Sequence, residues 1–359
     1  MKNSTETYQY ELAVVVPVYK IRECYLRQCI DSILDQEDID MQIVLVDDGT
    51  PDHCGAICDE YASQYTNISV IHHEKNQGLP AARNTGLKAI SSKWVSFVDG
   101  DDWVEAKTFS KLLEYIRNLS DEPDVVMFPA CSSYIERDII DPYHETTIWN
   151  SAEERNNLQC QALSIPLKVD RPLTYGTAWA KILSVGFLRK YDIVFRDLQY
   201  SEDIVFFQEI IESASIVISV DLGMYHYRMT KGSMVHSYRK NAAEEQKKLL
   251  DMLWQFANEH RKGTEYYKAL HAMTLVSMEV CIVNFYYNKQ NHMTLWEKKR
   301  NCKKNFSQAP YCNVFHFLNM RDMKHGSQLM SILFMIRQYW LVPVLRYVIM
   351  KMKNISFYK

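Results

Sequence analysis

Over the first 130 residues, apolar strand-like runs and helix-like stretches alternate with a period of about thirty residues, and this constrains the fold more than any other feature of the chain. The strand-like runs fall at 12–16, 41–46, 68–71, 94–98 and 125–128. Helical patterns occupy 25–34, 53–65, 81–90 and 107–117 between them. The strand runs are continuously apolar rather than alternating, as expected for strands buried on both faces of a parallel sheet covered by helices. Repeated βα units of this kind predict a doubly wound, mostly parallel α/β layer structure. Composition permits it: 47% hydrophobic and 24% charged residues in a chain of 359 exclude a disordered or fibrous protein.

Beyond residue 130 the pattern changes. Residues 131–175 are irregular and polar and read as a variable loop region, followed by a helix at 203–213 and a strand at 216–220. From 241 onward the sequence is helical almost throughout, with Leu249, Met252, Leu253 and Phe256 on one stripe. The expected division is an α/β domain over 1–240 and a helical region over 241–359. Nine cysteines, an odd number without paired-ligand spacing, read neither as a disulfide framework nor as a zinc site, and Cys54 and Cys58 read as packing. Residues 1–10 are polar and lack an apolar signal-peptide core, so the cytoplasm is the expected compartment.

The net charge of −3 conceals an asymmetry: residues 289–359 carry +11, the preceding residues −14. A basic end on an acidic body suggests nucleic acid or anionic lipid as partner, or a basic helical surface with no partner. Within the tail, 327–359, two apolar segments at 328–336 and 339–345 are interrupted by Arg337 and Arg346, and Pro343 is expected to break the helix. No uncharged apolar run there reaches the roughly eighteen residues of a spanning helix. Five basic residues, no acidic one, and Tyr339 and Trp340 suit a helix lying in the membrane interface; a buried C-terminal helix pair is the other reading. The long apolar runs favour an anionic lipid surface over nucleic acid.

In an open α/β sheet, ligands bind outside the carboxyl ends of the strands. Polar residues collect at those ends here: Tyr19 after the first strand, Asp47-Asp48-Gly49-Thr50 after the second, His72-His73-Glu74-Lys75-Asn76-Gln77-Gly78 after the third, and Asp99-Gly100-Asp101-Asp102 after the fourth. Three carboxylates within four residues repel one another unless a cation or a set of donors neutralises them. Such hard oxygen ligands suit Mg2+ or Mn2+ together with substrate phosphates; an Asx turn with a solvated capping aspartate is the alternative.

At this point the chain resembles a family 2 inverting glycosyltransferase of the GT-A fold, bacterial polysaccharide type. The resemblance rests on Val15-Val16-Pro17-Val18-Tyr19, where the family commonly continues with Asn and this chain has Lys20, and on Val46-Asp47-Asp48-Gly49-Thr50-Pro51-Asp52. It extends through Asn76-x-Gly78-x-x-x-Ala82-Arg83-Asn84-x-Gly86 and Phe97-Val98-Asp99-Gly100-Asp101-Asp102, the family's DXD element. Trp179-Ala180-Lys181, Ser201-Glu202-Asp203 and Tyr225-His226-Tyr227-Arg228 complete the ordered set, which covers about 60% of the chain.

The resemblance implies a donor that is a nucleotide-diphosphate sugar, with UDP as the expected nucleotide. Asp48 would accept the uracil N3–H, with Pro17 and Tyr19 lining the base pocket and Asp47 contacting the nucleotide or holding the loop. Arg83 would reach the base or a phosphate, or form an ion pair with the loop aspartates. Asn76 and Gly78 would shape the turn into the helix carrying Arg83. Asp99 and Asp101 would form the DXD pair, one facing the ribose and the other the metal, Mn2+ or Mg2+, with Asp102 able to share the metal. Lys181, Arg228, Lys231 and Ser233 are candidates for the diphosphate. Asp203 would be the base that deprotonates the acceptor, or a helix cap, with Glu202 orienting a sugar. His226 is a packed histidine or an added metal ligand. The histidines His72 and His73 have no second ligand group close in sequence.

A nucleotidyltransferase usually carries a glycine-rich phosphate loop after the first strand, and Val18-Tyr19-Lys20-Ile21-Arg22-Glu23 has no glycine. A catalytically inactive binding scaffold is the other alternative, and intact Asp99, Asp101 and Asp203 argue against it. By analogy the acceptor is a saccharide, lipid-linked at the inner leaflet, in capsule, exopolysaccharide or O-antigen synthesis. That would place the enzyme peripherally on the cytoplasmic face of the plasma membrane.

Overall fold

The computed structural model describes residues 8–134, 138–140, 146–169, 172, 174–229 and 238–352. The chain divides into two compact units, one of residues 1–133, 138–155 and 172–228, the other of 134–137, 156–171 and 229–359. The sequence boundary at 240/241 lies twelve residues after this division at 228/229, and the inclusion of 156–171 in the second unit had no sequence signal.

In the first unit the elements follow in the order β1 (Tyr10–Val18), α1 (Glu23–Leu34), β2 (Met41–Asp47), α2 (Cys54–Gln64), β3 (Ile68–His72), α3 (Leu79–Ala89), β4 (Ser92–Phe97), β5 (Trp103–Val104), α4 (Thr108–Arg117), β6 (Val125–Met127), β7 (Ala130–Ser133), β8 (Asp138–Ile140) and β9 (Thr147–Trp149). After α5 (Ala152–Leu163) come β10 (Lys181–Ser184), α6 (Val185–Lys190), α7 (Glu202–Ser213), β11 (Val217–Ser219) and β12 (Tyr225–Arg228). An eight-stranded sheet has the order β3-β2-β1-β4-β10-β6-β11-β9, and a four-stranded sheet the order β5-β12-β7-β8.

The doubly wound α/β expectation holds. Strands β1 to β4 are mutually parallel, with Val15 beside Val44 on one side and Phe97 on the other. Leu12 to Val18 are buried without a break, as the unbroken apolar run requires. Helix α3 packs so closely on β1 that a Cβ at Gly86 would overlap Val15 Cγ1. The sequence reading did not foresee β10, which runs antiparallel between β4 and β6. The second sheet was also unforeseen, as was α5 within the supposed loop region.

The second unit is helical, with α8 (Ala242–Glu259), α9 (Thr264–Cys281, continuing as a π-turn over Ile282–Tyr286), α10 (Leu295–Phe306), α11 (Val314–Phe317), α12 (His325–Met335) and α13 (Val342–Met352). Its core gathers Leu250, Tyr286, Phe306, Tyr311, Phe334 and Tyr339. The segment 156–171 joins it through a bridge between Leu167 and Met323 and through Lys168 Nζ donating to the Arg321 carbonyl at 2.9 Å. Thr264–Tyr286 is long and apolar enough to cross a membrane, yet 72% of its apolar window is buried and it packs against α8.

Pro343 does not break the C-terminal helix. It stands in the first turn of α13, where its missing N–H has no helical partner to lose. The interruption instead falls at Arg337, in the left-handed region at φ 57° just after α12.

Candidate active site

The parallel strands fan out from β1 in two directions, β2 and β3 on one side and β4 on the other, so the topological switch lies between β1 and β4. The loops after these strands are tied to one another. The Lys20 amide donates to Thr50 Oγ1 at 3.0 Å, and the Asp48 amide to the Val18 carbonyl at 2.9 Å. Gly100 has no room for a side chain, since a Cβ there would meet Ile21 Cδ1 at 2.5 Å and the Pro17 carbonyl at 3.1 Å. A Cβ at Gly49, which adopts φ 63°, would meet the Lys75 backbone as closely.

Asp48 corrects one expectation. It is 2% exposed, and its carboxylate accepts from the Gln77 and Gly78 amides, both at 2.8 Å, and pairs with His73 Nδ1 at 2.7 Å. It therefore shapes the turn into α3 rather than presenting an open acceptor for a base. Asp47 does the same for its own loop, accepting from the Thr50 amide at 2.9 Å and pairing with His72 Nδ1 at 2.8 Å. His72 Nε2 also pairs with Asp59 at 3.0 Å, and the hydrogen bonds to Asp47 and Asp59 raise the His72 pKa. The adjacent histidines thus brace adjacent aspartates, a role the sequence did not suggest. Pro17 is buried, whereas Tyr19 is 38% exposed beside the Lys20 ammonium. Asn76 is exposed, and its side chain makes no hydrogen bond among the described residues.

The acidic loop after β4 is held from several sides, and its carboxylates differ sharply. Asp102 is fully buried; it accepts from Tyr225 Oη at 2.6 Å and from the Arg228 amide at 2.8 Å. Burial first, then the charges of Asp101 and Asp99, push its pKa well up. Fully buried, with a hydrogen bond on each oxygen, it braces the loop. The Asp101 carboxylate makes no hydrogen bond to another residue among the described residues, and burial and the Asp99 charge raise its pKa to about 6. One Asp99 oxygen is taken by Arg83 Nη2 at 2.7 Å. A hard cation thus fits Asp101 and the remaining Asp99 oxygen, and the three-carboxylate set narrows to these two.

Arg83 is 2% exposed and does not reach outward toward a nucleotide. Its Nη1 donates to Glu202 Oε1 at 2.6 Å and its Nη2 to Asp99, with the guanidinium over the Phe195 ring at 5.2 Å. Nε finds no partner among the described residues. Burial opposes the charge of this side chain, but Asp99 and Glu202 hold its pKa above the ordinary value. The guanidinium therefore couples the acidic loop to the start of α7.

That helix begins at Glu202 with Ser201 as N-cap, so Asp203 stands in the first turn and is not the cap. Its Oδ1 accepts from the Ile204 amide at 2.9 Å; its other oxygen takes no hydrogen bond among the described residues. Burial raises Asp203 to about 6 and Glu202 to about 7, against the lowering influence of Arg83. A carboxylate with a pKa near neutrality and a free oxygen is equipped to take a proton.

Two expected phosphate-binding cations are committed elsewhere. Lys181 is fully buried in β10, donating to the Thr174 carbonyl at 2.7 Å, Thr177 Oγ1 at 3.1 Å and the Trp179 carbonyl at 3.3 Å. Arg228 is 5% exposed between the rings of Tyr25 and Trp103, donating through Nε to the Asp101 carbonyl and through Nη2 to Gln28, each at 2.7 Å. Both hold loops of the site; burial, which sequence cannot display, separates them from phosphate ligands. Lys231 and Ser233 lie outside the described residues. His226 stacks on Trp103 at 4.7 Å with the rings 5° from parallel, and burial lowers its pKa.

Residues 13–169 match the sequence profile of Glycosyl transferase family 2. The chain carries a family 2 glycosyltransferase domain. EpsH of Bacillus subtilis, named as a glycosyltransferase, is 27% identical over 81% of this chain and 81% of its own. GgaB of the same organism, named as a minor teichoic acid biosynthesis protein, is 32% identical over 46% of this chain, a match that takes in 19% of GgaB. Among solved structures, TarS of S. aureus in complex with UDP superposes with a TM-score of 0.60 at 18% identity, covering 93% of this chain and 90% of that one. A mannosyltransferase of Pyrobaculum calidifontis in complex with GDP-Man and Mn2+ has a TM-score of 0.50 at 12% identity, covering 96% and 88%. These structures share the GT-A-type fold, and the glycosyltransferase domain is followed here by a helical region.

Proposed function

We propose that the enzyme transfers a hexose or N-acetylhexosamine from a nucleotide-diphosphate sugar, with UDP as the nucleotide, to a saccharide acceptor with inversion at the anomeric carbon. The observation that carries this reading is the hydrogen-bonded array Asp99–Arg83–Glu202, which links the acidic loop at the sheet's switch point to the helix turn bearing Asp203. The UDP complex of TarS supports the choice of nucleotide. Asp203, ionised above about pH 6, takes the acceptor hydroxyl proton as the acceptor oxygen attacks. Arg83 and Glu202 hold Asp203 and the acidic loop in register, and Asp102 fixes the loop through Tyr225 and Arg228. A divalent cation at Asp101 and Asp99, when bound, offsets the charge of the departing diphosphate.

The resemblance to GgaB, named for teichoic acid biosynthesis, supports a place in polysaccharide or teichoic acid type synthesis, and a lipid-linked acceptor is our extension of that reading. A location on the cytoplasmic face of the membrane accords with α12 and the segment after it. Leu329, Ile332, Ile336, Trp340, Val344 and Tyr347 are 42–59% exposed there, while no acidic residue follows Asp322. Apolar side chains interspersed with Arg337, Arg346 and Lys351 suit an anionic lipid surface.

The deciding experiment is nucleotide release from UDP-glucose, UDP-galactose and their N-acetyl forms, with Mn2+ and with EDTA, for the wild type and Asp203→Asn. UDP release that requires metal and disappears in the variant is the expected result. Absence of metal-dependent UDP binding would reduce the protein to a scaffold.

A further inference from the structure

Three strands of the small sheet bring Cys131, Asp138 and His226 together. His226 on β12 lies across from Cys131 on the parallel β7, and Asp138 on β8 lies across from Ser133, two residues along β7 from Cys131. Alternate residues of a strand share a face, so all four stand on the same side of the sheet. One ligand atom each from Cys131, Asp138 and His226 lies within 4.8 Å of the other two. Ser133 Oγ sits between them, 3.8 Å from Cys131 Sγ and 3.4 Å from His226 Nδ1. Trp103 closes the His226 side of the group.

We propose that Cys131, His226 and Asp138 form a second cation site, of the zinc class, distinct from the hard-cation position at Asp101. A thiolate, an imidazole and a carboxylate select Zn2+ over Mg2+ or Mn2+, and three protein ligands with water in the fourth position complete a tetrahedron. Bonds of about 2.0–2.3 Å bring ligand atoms to within about 4 Å of one another, so the observed separations close by small side-chain rotations. On binding, the Cys131 thiol gives its proton to solvent while the imidazole binds neutral. The spacing of the ligands along the sequence offers no hint of the site because each comes from a different strand. The site touches the donor side through one ring: Arg228, two residues after His226, lies over the same Trp103 indole at 4.3 Å and donates to the Asp101 carbonyl. Occupancy therefore stiffens the wall that carries the acidic loop.

The test uses full-length protein stripped with a chelator and titrated with Co2+, followed by the thiolate charge-transfer band, then displaced with Zn2+. One equivalent is expected to bind with a thiolate band. The band is abolished in Cys131→Ser, affinity falls at least about tenfold in His226→Phe and Asp138→Asn, and neither changes in Asp101→Asn. Asp138 is exposed, so its isosteric variant tests the site without disturbing the core; His226→Phe keeps an aromatic ring on Trp103. The proposal is overturned by a wild type with no thiolate band, or by a band that persists in folded Cys131→Ser. Unchanged affinity in Asp138→Asn and His226→Phe overturns it equally. UDP release is measured separately, so failure here leaves the transferase reading untouched.

Discussion

Arg83 holds two carboxylates of opposite ends of the site with one planar fork, and its substitution exposes what each was worth. In Arg83→Ala, the buried Glu202 and the half-buried Asp99 are left without their counter-ion, and unfolding in urea is expected to show a loss of about 3 kcal/mol. Lys181→Met removes the ammonium that donates to the Thr174 and Trp179 carbonyls, which keep Thr177 as a donor, so a loss of about 1–2 kcal/mol is expected in the same measurement, with the KM for the donor little changed. A phosphate-binding role for Lys181 would raise KM instead. Because Asp203 must be ionised to act and titrates at about 6, kcat/KM is expected to rise about tenfold per pH unit below 6 and level off above it. A profile flat from pH 5 to 8 would remove Asp203 from the role of base. At this scale the sequence showed which residue types gather at the site but not how their atoms are spent. Asp48, Lys181 and Arg228 carry the right charges for a nucleotide, and only burial and pairing reveal that they hold loops. For Arg83 the ion pair had been one of two open readings.

Elements were legible wherever burial leaves a periodic trace. Strands β1 to β4 and helices α1 to α4 stand within a few residues of their expected positions because each carries a long apolar run or stripe. Strand β10 left no such trace: four residues beginning with a lysine, in a register fixed by two distant partners, satisfy no local pattern. The amphipathy of α12 was visible as an apolar run, but its two sides were not; Met330 and Phe334 face the core while Leu329, Ile332 and Ile336 remain exposed. Packing between elements yields its own prediction. Gly86→Ala drives a methyl into Val15 and is expected to cost about 1–3 kcal/mol by urea unfolding, with Val15→Ala in the same chain recovering part of it. Equal stabilities for Gly86→Ala and wild type would mean α3 stands further from β1 than described.

For the whole molecule, the charge asymmetry read from the sequence coincides with the exposed apolar residues of the C-terminal helices. Wild-type protein is expected to co-sediment with vesicles containing anionic lipid, less so at high salt. Ile336→Ser combined with Trp340→Ser should weaken partitioning at least about tenfold while leaving UDP release intact. Equal partitioning of the variant would sink the membrane reading, and a concentration-dependent dimer lost in the variant would name a second copy as the occupant. The order of strands in the large sheet also sets a schedule for synthesis. Strands β1 to β4 are encoded within the first hundred residues and can pair as soon as they leave the ribosome. The neighbour that covers the open edge of β4, however, is encoded only at Lys181–Ser184. Until some eighty further residues have been translated, the nascent half-sheet carries an unprotected edge beside the residues that will form its acidic loop. Slower translation across that interval is then expected to lower the yield of folded protein.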